Sequence, residues 1–212
     1  MPQRSIRFYK FIRSVLFSFY KVFFGFKCYG FDRVPSPEDN RGVILAPNHS
    51  SFLDPPVLGI SLKRPVTYLA KEYLFRAFFI GFVLRKVGAF PILTRTDDFR
   101  SIRGLLRILS QGECIVVFPE GTRSPQGEFQ EPEPGLGFLA IKSKAWVVPV
   151  YIEGTYEAFP RHAKFFKPHP VKVYYGVPFI PALDAAVLAS PDPYGAVGQK
   201  VMAQIQRLKE ER

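Results

Sequence analysis

The residues of this chain best suited to chemistry are a histidine and an aspartate five positions apart, in the run Asn48-His49-Ser50-Ser51-Phe52-Leu53-Asp54. A neutral imidazole can take a proton from a hydroxyl near pH 7. A carboxylate on its other ring nitrogen fixes the tautomer and stabilises the imidazolium that forms. His49 and Asp54 could therefore be a base and its orienter. Two plainer roles stay open for the same residues: Asp54 could cap a helix beginning near Pro56, and His49 could be a structural histidine. Spacing alone does not decide, because a histidine and an aspartate fall at this interval by chance.

A second cluster is Phe118-Pro119-Glu120-Gly121-Thr122-Arg123-Ser124. Glycine lets the backbone approach a ligand closely, and Thr122, Arg123 and exposed N–H groups are the usual partners of a phosphate or an oxyanion. A turn closed by a surface ion pair between Glu120 and Arg123 is the alternative. Arg95, just beyond the run Gly88–Thr94, could share an anion with Arg123. By contrast, Gly135-Leu136-Gly137-Phe138-Leu139-Ala140 fits the glycine spacing of a dinucleotide site but follows a Glu/Pro-rich loop instead of a strand, so the required context is missing. The nucleophile-elbow and nucleotide-triphosphate loop patterns are both absent.

Stepping outward, short apolar runs bounded by Pro or Gly predict strands at Val43–Ala46, Val66–Ala70, Ala89–Leu93, Cys114–Phe118, Val147–Ile152 and Val171–Tyr175. Helical patterns fall between them at Tyr73–Val87, Asp97–Ser110, Leu136–Ser143 and Tyr194–Glu210. This alternation predicts a single α/β domain with a mostly parallel sheet flanked by helices, over residues 32–212. Both clusters would then sit where loops leave the carboxyl ends of strands, the usual place for ligands in such sheets. The polar loop Ser124–Pro134 lies between the second cluster and the next helix.

Residues 1–31 read differently. They hold six basic residues, Arg4, Arg7, Lys10, Arg13, Lys21 and Lys27, and no acidic one. On a helical wheel Phe8, Phe11, Ile12, Val15, Leu16, Phe19, Val22, Phe23 and Phe26 share one side, and Arg7, Lys10, Arg13 and Lys21 the other. The longest uncharged run, Ser14 to Tyr20, is far shorter than the ~20 apolar residues of a spanning helix. An aromatic face opposite a purely basic one predicts an amphipathic segment lying on an anionic membrane surface, as one helix or as two broken at Gly25.

Composition narrows the field further. Of 212 residues, 47% are hydrophobic and 22% charged, which excludes a disordered chain. The 22 Phe exceed the needs of a small core, so some rings should face lipid or acyl chains. Two cysteines, Cys28 and Cys114, are too few for a disulfide framework or a cysteine zinc site, and His49, His162 and His169 lack metal-ligand spacing, so no metal is expected. The net charge of +11 is concentrated in an aromatic amphipathic segment, which favours lipid over nucleic acid.

Taken together, His49-x4-Asp54, the Phe118–Ser124 run and Val147-Val148-Pro149-Val150 resemble the motifs of the glycerolipid acyltransferases, the bacterial lysophosphatidic acid acyltransferases above all. The likeness covers roughly residues 40–155. Pro91-Ile92-Leu93-Thr94 departs from the family's usual Phe-Ile-Asp-Arg ending. The resemblance implies that His49 is a general base with Asp54 as its partner, and that Arg95, Glu120, Gly121, Thr122 and Arg123 bind the acceptor's glycerol-phosphate. It implies an acyl-CoA or acyl carrier protein thioester as co-substrate with no further cofactor, 1-acylglycerol 3-phosphate as acceptor, phosphatidic acid as product, and a peripheral place on the cytoplasmic face of a membrane. Another acceptor (a lyso-ornithine-lipid, another lysophospholipid or glycerol 3-phosphate), hydrolysis of the donor, or a non-enzymatic lipid-binding role are the competing readings. Oligomeric state is not legible.

Overall fold

The structure, a computed structural model, describes residues 4–92, 99–160 and 162–212. In chain order the elements are α1 (Ile6–Phe24), β1 (Lys27–Tyr29), β2 (Val43–Pro47), α2 (Asp54–Ser61), β3 (Thr67–Lys71), α3 (Phe78–Val87), β4 (Phe90–Ile92), α4 (Phe99–Ser110), β5 (Cys114–Val116), α5 (Gly135–Ser143), β6 (Trp146–Glu153), α6 (Thr155–Ala158), β7 (Lys172–Tyr175), α7 (Ala185–Leu188) and α8 (Pro193–Glu210). Among the described residues the strands form a seven-stranded sheet in the order β1-β7-β6-β2-β5-β3-β4. Strands β6, β2, β5, β3 and β4 run parallel; β7 is antiparallel to β6 and carries β1 parallel to itself at the edge.

Strands β2 and β5 are apolar at every position, as suits strands covered on both faces. In β2, Val43 and Leu45 enter a core shared with α1 and α2, while Ile44 and Ala46 enter a second core under α4, α5 and α8. At the boundary of β3, α1 and α3, Tyr9, Ala70, Val87 and Ala89 form a smaller third cluster. Asn48, directly after β2, is buried and locks that strand end to β6: its Nδ2 donates to the Ile152 carbonyl at 3.0 Å and its Oδ1 accepts from the Ile152 N–H at 2.7 Å.

Several elements differ from expectation. The pattern at Tyr73–Val87 divides into a single-turn helix, Glu72–Arg76, and α3 proper. The start proposed at Asp97 lies outside the described residues. Strand β1 was not anticipated; its short Lys-Cys-Tyr sequence has no pattern of its own, and pairing with β7 makes it a strand.

Within the N-terminal segment Ile6–Phe24 form one helix, and Phe26, expected on its apolar face, lies beyond its end. Ser5 caps its start, and Gly25 ends it in the left-handed conformation that glycine adopts without a Cβ clash. It is docked against the domain by the buried Tyr9, Tyr20 and Phe24. Arg13, expected on the outer basic face, instead donates to the carbonyls of Leu62 at 2.8 Å and Ile60 at 3.2 Å. These are orphan carbonyls at the end of α2, which a cation satisfies well. Arg4 likewise turns inward to the Val87 carbonyl, Glu113 and Thr67. Among the described residues no helix is long and apolar enough to cross a membrane.

Candidate active site

The site forms where the loops after β2 and β5 meet. The β2 loop turns sharply through Ser50 and Ser51 before α2, whose first turn begins Asp54-Pro55-Pro56. Proline is tolerated there because the first N–H groups of a helix have no intrahelical partner. The turn wraps around one carboxylate oxygen: Asp54 Oδ2 accepts from the Ser50 N–H, the Ser51 N–H and His49 Nδ1, each at 2.8 Å. Asp54 is fully buried, and its Oδ1 has no hydrogen-bond partner among the described residues. Burying a carboxylate is costly unless it is well paired, so three donors on one oxygen hold both the charge and the ring beside it.

A neutral imidazole that donates Nδ1–H to Asp54 has its lone pair on Nε2. The ring is held flat against Phe118, with centroids 3.7 Å apart and planes at 19°. Of the two readings left open, the structure brings His49 and Asp54 together as an oriented imidazole–carboxylate pair; Asp54 also begins α2.

The β5 loop is stitched to the β2 loop from both sides. Glu120 Oε1 accepts from the His49 N–H at 2.8 Å, and the Ser124 N–H donates to the His49 carbonyl at 2.8 Å. The second oxygen of Glu120 accepts from the N–H and the side-chain amide of Gln130. Burial raises the Glu120 carboxyl above its ordinary value, and the N–H donors of His49 and Gln130 oppose that rise. Both its oxygens face backbone or Gln130, so Glu120 here positions His49. Gly121 lines the cavity with φ +66, and a Cβ there would come within 3.0 Å of Glu133. Arg123 lines the same cavity, with its guanidinium carbon 3.5 Å from the centroid of the Phe52 ring. Thr122 is exposed beside them and does not line the cavity. Arg95 lies outside the described residues.

The cavity that His49 and Arg123 border has a volume of about 730 Å³. It passes the carboxyl ends of β3 and β5 and occupies both faces of the sheet: Ile12, Gly59 and Tyr68 line it on the α1–α2 side, Ile102, Leu136 and Leu139 on the α4–α5 side. Most of its lining is apolar, the usual character of a site for an apolar ligand. Among the described residues no group of three or more His, Cys, Asp and Glu side chains could hold a metal ion. Phe52, Phe118 and Gln130 were given no role from sequence, although two of them lie within the motif runs; a ring under a cation or an imidazole has no signature in a linear pattern.

Comparison with known proteins gives this geometry a family. A family model described as Acyltransferase matches residues 25–153. The chain belongs to the Acyltransferase family. The matched span includes β1–β6 and the whole His49–Asp54 and Phe118–Ser124 constellation. Relatives from this family include the 1-acyl-sn-glycerol-3-phosphate acyltransferase of Bacillus subtilis (strain 168), 30% identical over 203 residues, which are 95% of this chain and 96% of the relative. The chloroplastic 1-acyl-sn-glycerol-3-phosphate acyltransferase LPAT1 of Arabidopsis thaliana is 32% identical over 148 residues, 68% of this chain and 39% of the plant protein. The crystal structure of the 1-acyl-sn-glycerophosphate acyltransferase PlsC from Thermotoga maritima superposes with a TM-score of 0.76 at 24% identity, covering 95% of this chain and 80% of that one. This last likeness bears on the fold.

Proposed function

We propose that this acyltransferase moves a fatty acyl group from a thioester to the free hydroxyl of 1-acylglycerol 3-phosphate, giving phosphatidic acid. The observation that carries this is the His49–Asp54 pair, 2.8 Å apart, opening with Arg123 onto an apolar cavity large enough for alkyl chains. The relatives' activity supports the choice of acceptor.

In this reading Arg123, with Gly121 lending close backbone approach, receives the acceptor's phosphate. His49 Nε2 takes the proton of the free hydroxyl as that oxygen attacks the thioester carbonyl. Asp54 stabilises the imidazolium. Collapse of the tetrahedral intermediate breaks the carbon–sulfur bond, and the thiolate leaves with the proton from His49. The acceptor is the nucleophile, so the protein never carries the acyl group. Positioned general-base help of this kind is worth about 10²–10⁴-fold.

The protein works, we infer, at a membrane surface on the side where thioester donors are made. In support, Phe11, Val15 and Val22 of α1 are exposed, as are Phe78, Phe79 and Phe82 of α3, which packs against α1. The exposed Arg7, Lys10 and Lys21 lie on α1 beside them and would meet anionic headgroups.

The test is incubation of purified protein with lysophosphatidic acid and, separately, acyl-CoA and acyl carrier protein thioester, with products followed by mass spectrometry. Phosphatidic acid is expected from the native protein, with a loss of at least a hundredfold in His49→Ala. Free fatty acid alone would show hydrolysis instead, and turnover in the variant close to native would remove His49 from the role of base.

A further inference from the structure

The outer face of α4 carries Arg100, Arg103 and Arg107 and no acidic residue; all three arginines are exposed, and none has a salt bridge to a described residue. Positions i, i+3 and i+7 align on one side of a helix, so the three form a stripe about 10 Å long at 1.5 Å per residue. The opposite side of the helix buries Leu105, Ile108 and Leu109 against the sheet. Such a concentration of like charge is unfavourable in the isolated molecule, and its self-repulsion falls when an acidic partner covers it.

Its location narrows the partner. The exposed aromatics of α1 and α3 belong to elements packed on one face of the sheet, together with the core of α1 and α2. Helix α4 packs on the other face, in the core with α5 and α8. A bilayer held against α1 and α3 would therefore leave the arginine stripe turned away from the headgroups. Yet the stripe is near the chemistry, because Ile102, between Arg100 and Arg103 in sequence and turned inward, lines the cavity that His49 opens onto. An acyl chain entering under α4 would have its carrier directly over the arginines. The stripe is the convex face of a helix, with charges spaced one and two turns apart. That shape suits the acidic helix of a protein better than the compact phosphates of a nucleotide.

We propose that Arg100, Arg103 and Arg107 dock an acidic acyl carrier protein, which presents its thioester from the side of the sheet opposite the membrane. The proposal rests on the transfer reaction above for the purpose of docking, but its binding step can be measured without turnover.

The experiment uses the full chain and the variant R100E/R103E/R107E, with R100A/R103A/R107A as a milder companion; circular dichroism and thermal melting establish that both are folded. Binding of acyl carrier protein is measured directly in low salt. Turnover is compared with acyl carrier protein thioester and acyl-CoA of the same chain length. Binding is expected for the native chain, to weaken at least tenfold in the alanine variant, and to vanish in the charge reversal. kcat/KM is expected to fall at least tenfold with the carrier protein thioester and to hold with acyl-CoA, as is sedimentation with anionic vesicles. Equal losses with both donors would reassign the stripe to a nucleotide phosphate and overturn the proposal. Lost vesicle binding would overturn it in favour of a membrane contact, and unchanged carrier binding would overturn it outright. Carrier binding that depends on the stripe without phosphatidic acid formation would uphold the docking surface and sink the reaction instead.

Discussion

His49 is held at four points. Its Nδ1 is bonded to Asp54, its ring lies against Phe118, and its backbone N–H and carbonyl are tied to Glu120 and Ser124. If His49 is the base proposed, a ring set this way needs little reorganisation when substrate arrives. The resemblance assigns Glu120 to acceptor binding, while in the structure its two oxygens accept from His49 and Gln130. Glu120→Gln should place an amide N–H against one of those N–H donors and displace the loop carrying His49. Steady-state kinetics should show kcat lowered by about 10–100-fold, the scale on which misplacing a catalytic group by about 1 Å acts, with KM for the acceptor nearly unchanged. A rise in acceptor KM with kcat preserved would return Glu120 to the binding role.

At the scale of elements, the loops of the site depend on anchors some distance away. Asn48 fixes the end of β2 to β6, and Arg13 closes the end of α2, the helix that begins at Asp54. The C-terminal elements are pinned by Asp184, whose side chain caps α7 through the N–H groups of Ala186 and Val187 and pairs with Lys200 of α8. The bond from Lys200 holds the Asp184 carboxyl below its ordinary value. A depressed carboxyl contributes stability above its unfolded pKa, near 3.9, and loses it as pH falls through the folded value. Asp184→Ala should cost about 1 kcal/mol near pH 7, typical of a lost cap, or about 2–4 °C in Tm for a chain of this size. The gap between native and variant melting temperatures should close as pH drops below about 4. A gap constant across that range would mean that the charge contributes nothing. Elements such as α5 and α8 were legible in outline because apolar periodicity and Pro or Gly boundaries act locally. β1 and the break before α3 were not, since pairing and packing decide them.

For the whole molecule, α1 serves two sides at once. Tyr9, Tyr20 and Phe24 are in the core, while Phe11, Val15 and Val22 face outward. Removing buried aromatics of this size costs about 3–5 kcal/mol each, and three of them reach the 5–15 kcal/mol that holds a domain together. Deleting residues 1–24 should therefore yield unfolded or aggregated protein, visible as loss of a cooperative melt, instead of a soluble domain that has merely left the membrane. The membrane reading is better tested on the surface. Phe78→Ser with Phe79→Ser removes two rings that are 94% and 74% exposed. Each phenylalanine that leaves water contributes about 1.5–3 kcal/mol, so anionic-vesicle partitioning should weaken by at least tenfold with the melting temperature unchanged. Vesicle binding equal to native would mean that α3 does not touch lipid.

The sequence by itself marked out the two runs that come together at the site and the kind of sheet that presents them. The His49-x4-Asp54 and Phe118–Ser124 runs are local patterns, and the alternation of short apolar strands with helices is enough for a mostly parallel α/β domain. Only the tertiary structure decided the roles within those runs. It is the meeting of two loops 71 residues apart that turns Glu120 toward His49, puts Phe118 against the imidazole, and sets Arg123 over the Phe52 ring. It also decided which charges of the N-terminal helix face outward. A helical wheel sorts residues by angle, but whether a given angle meets water or an orphan carbonyl depends on the element packed beside it, as Arg13 on α2 shows. Long-range contacts carry that information, and no periodicity in the chain encodes it.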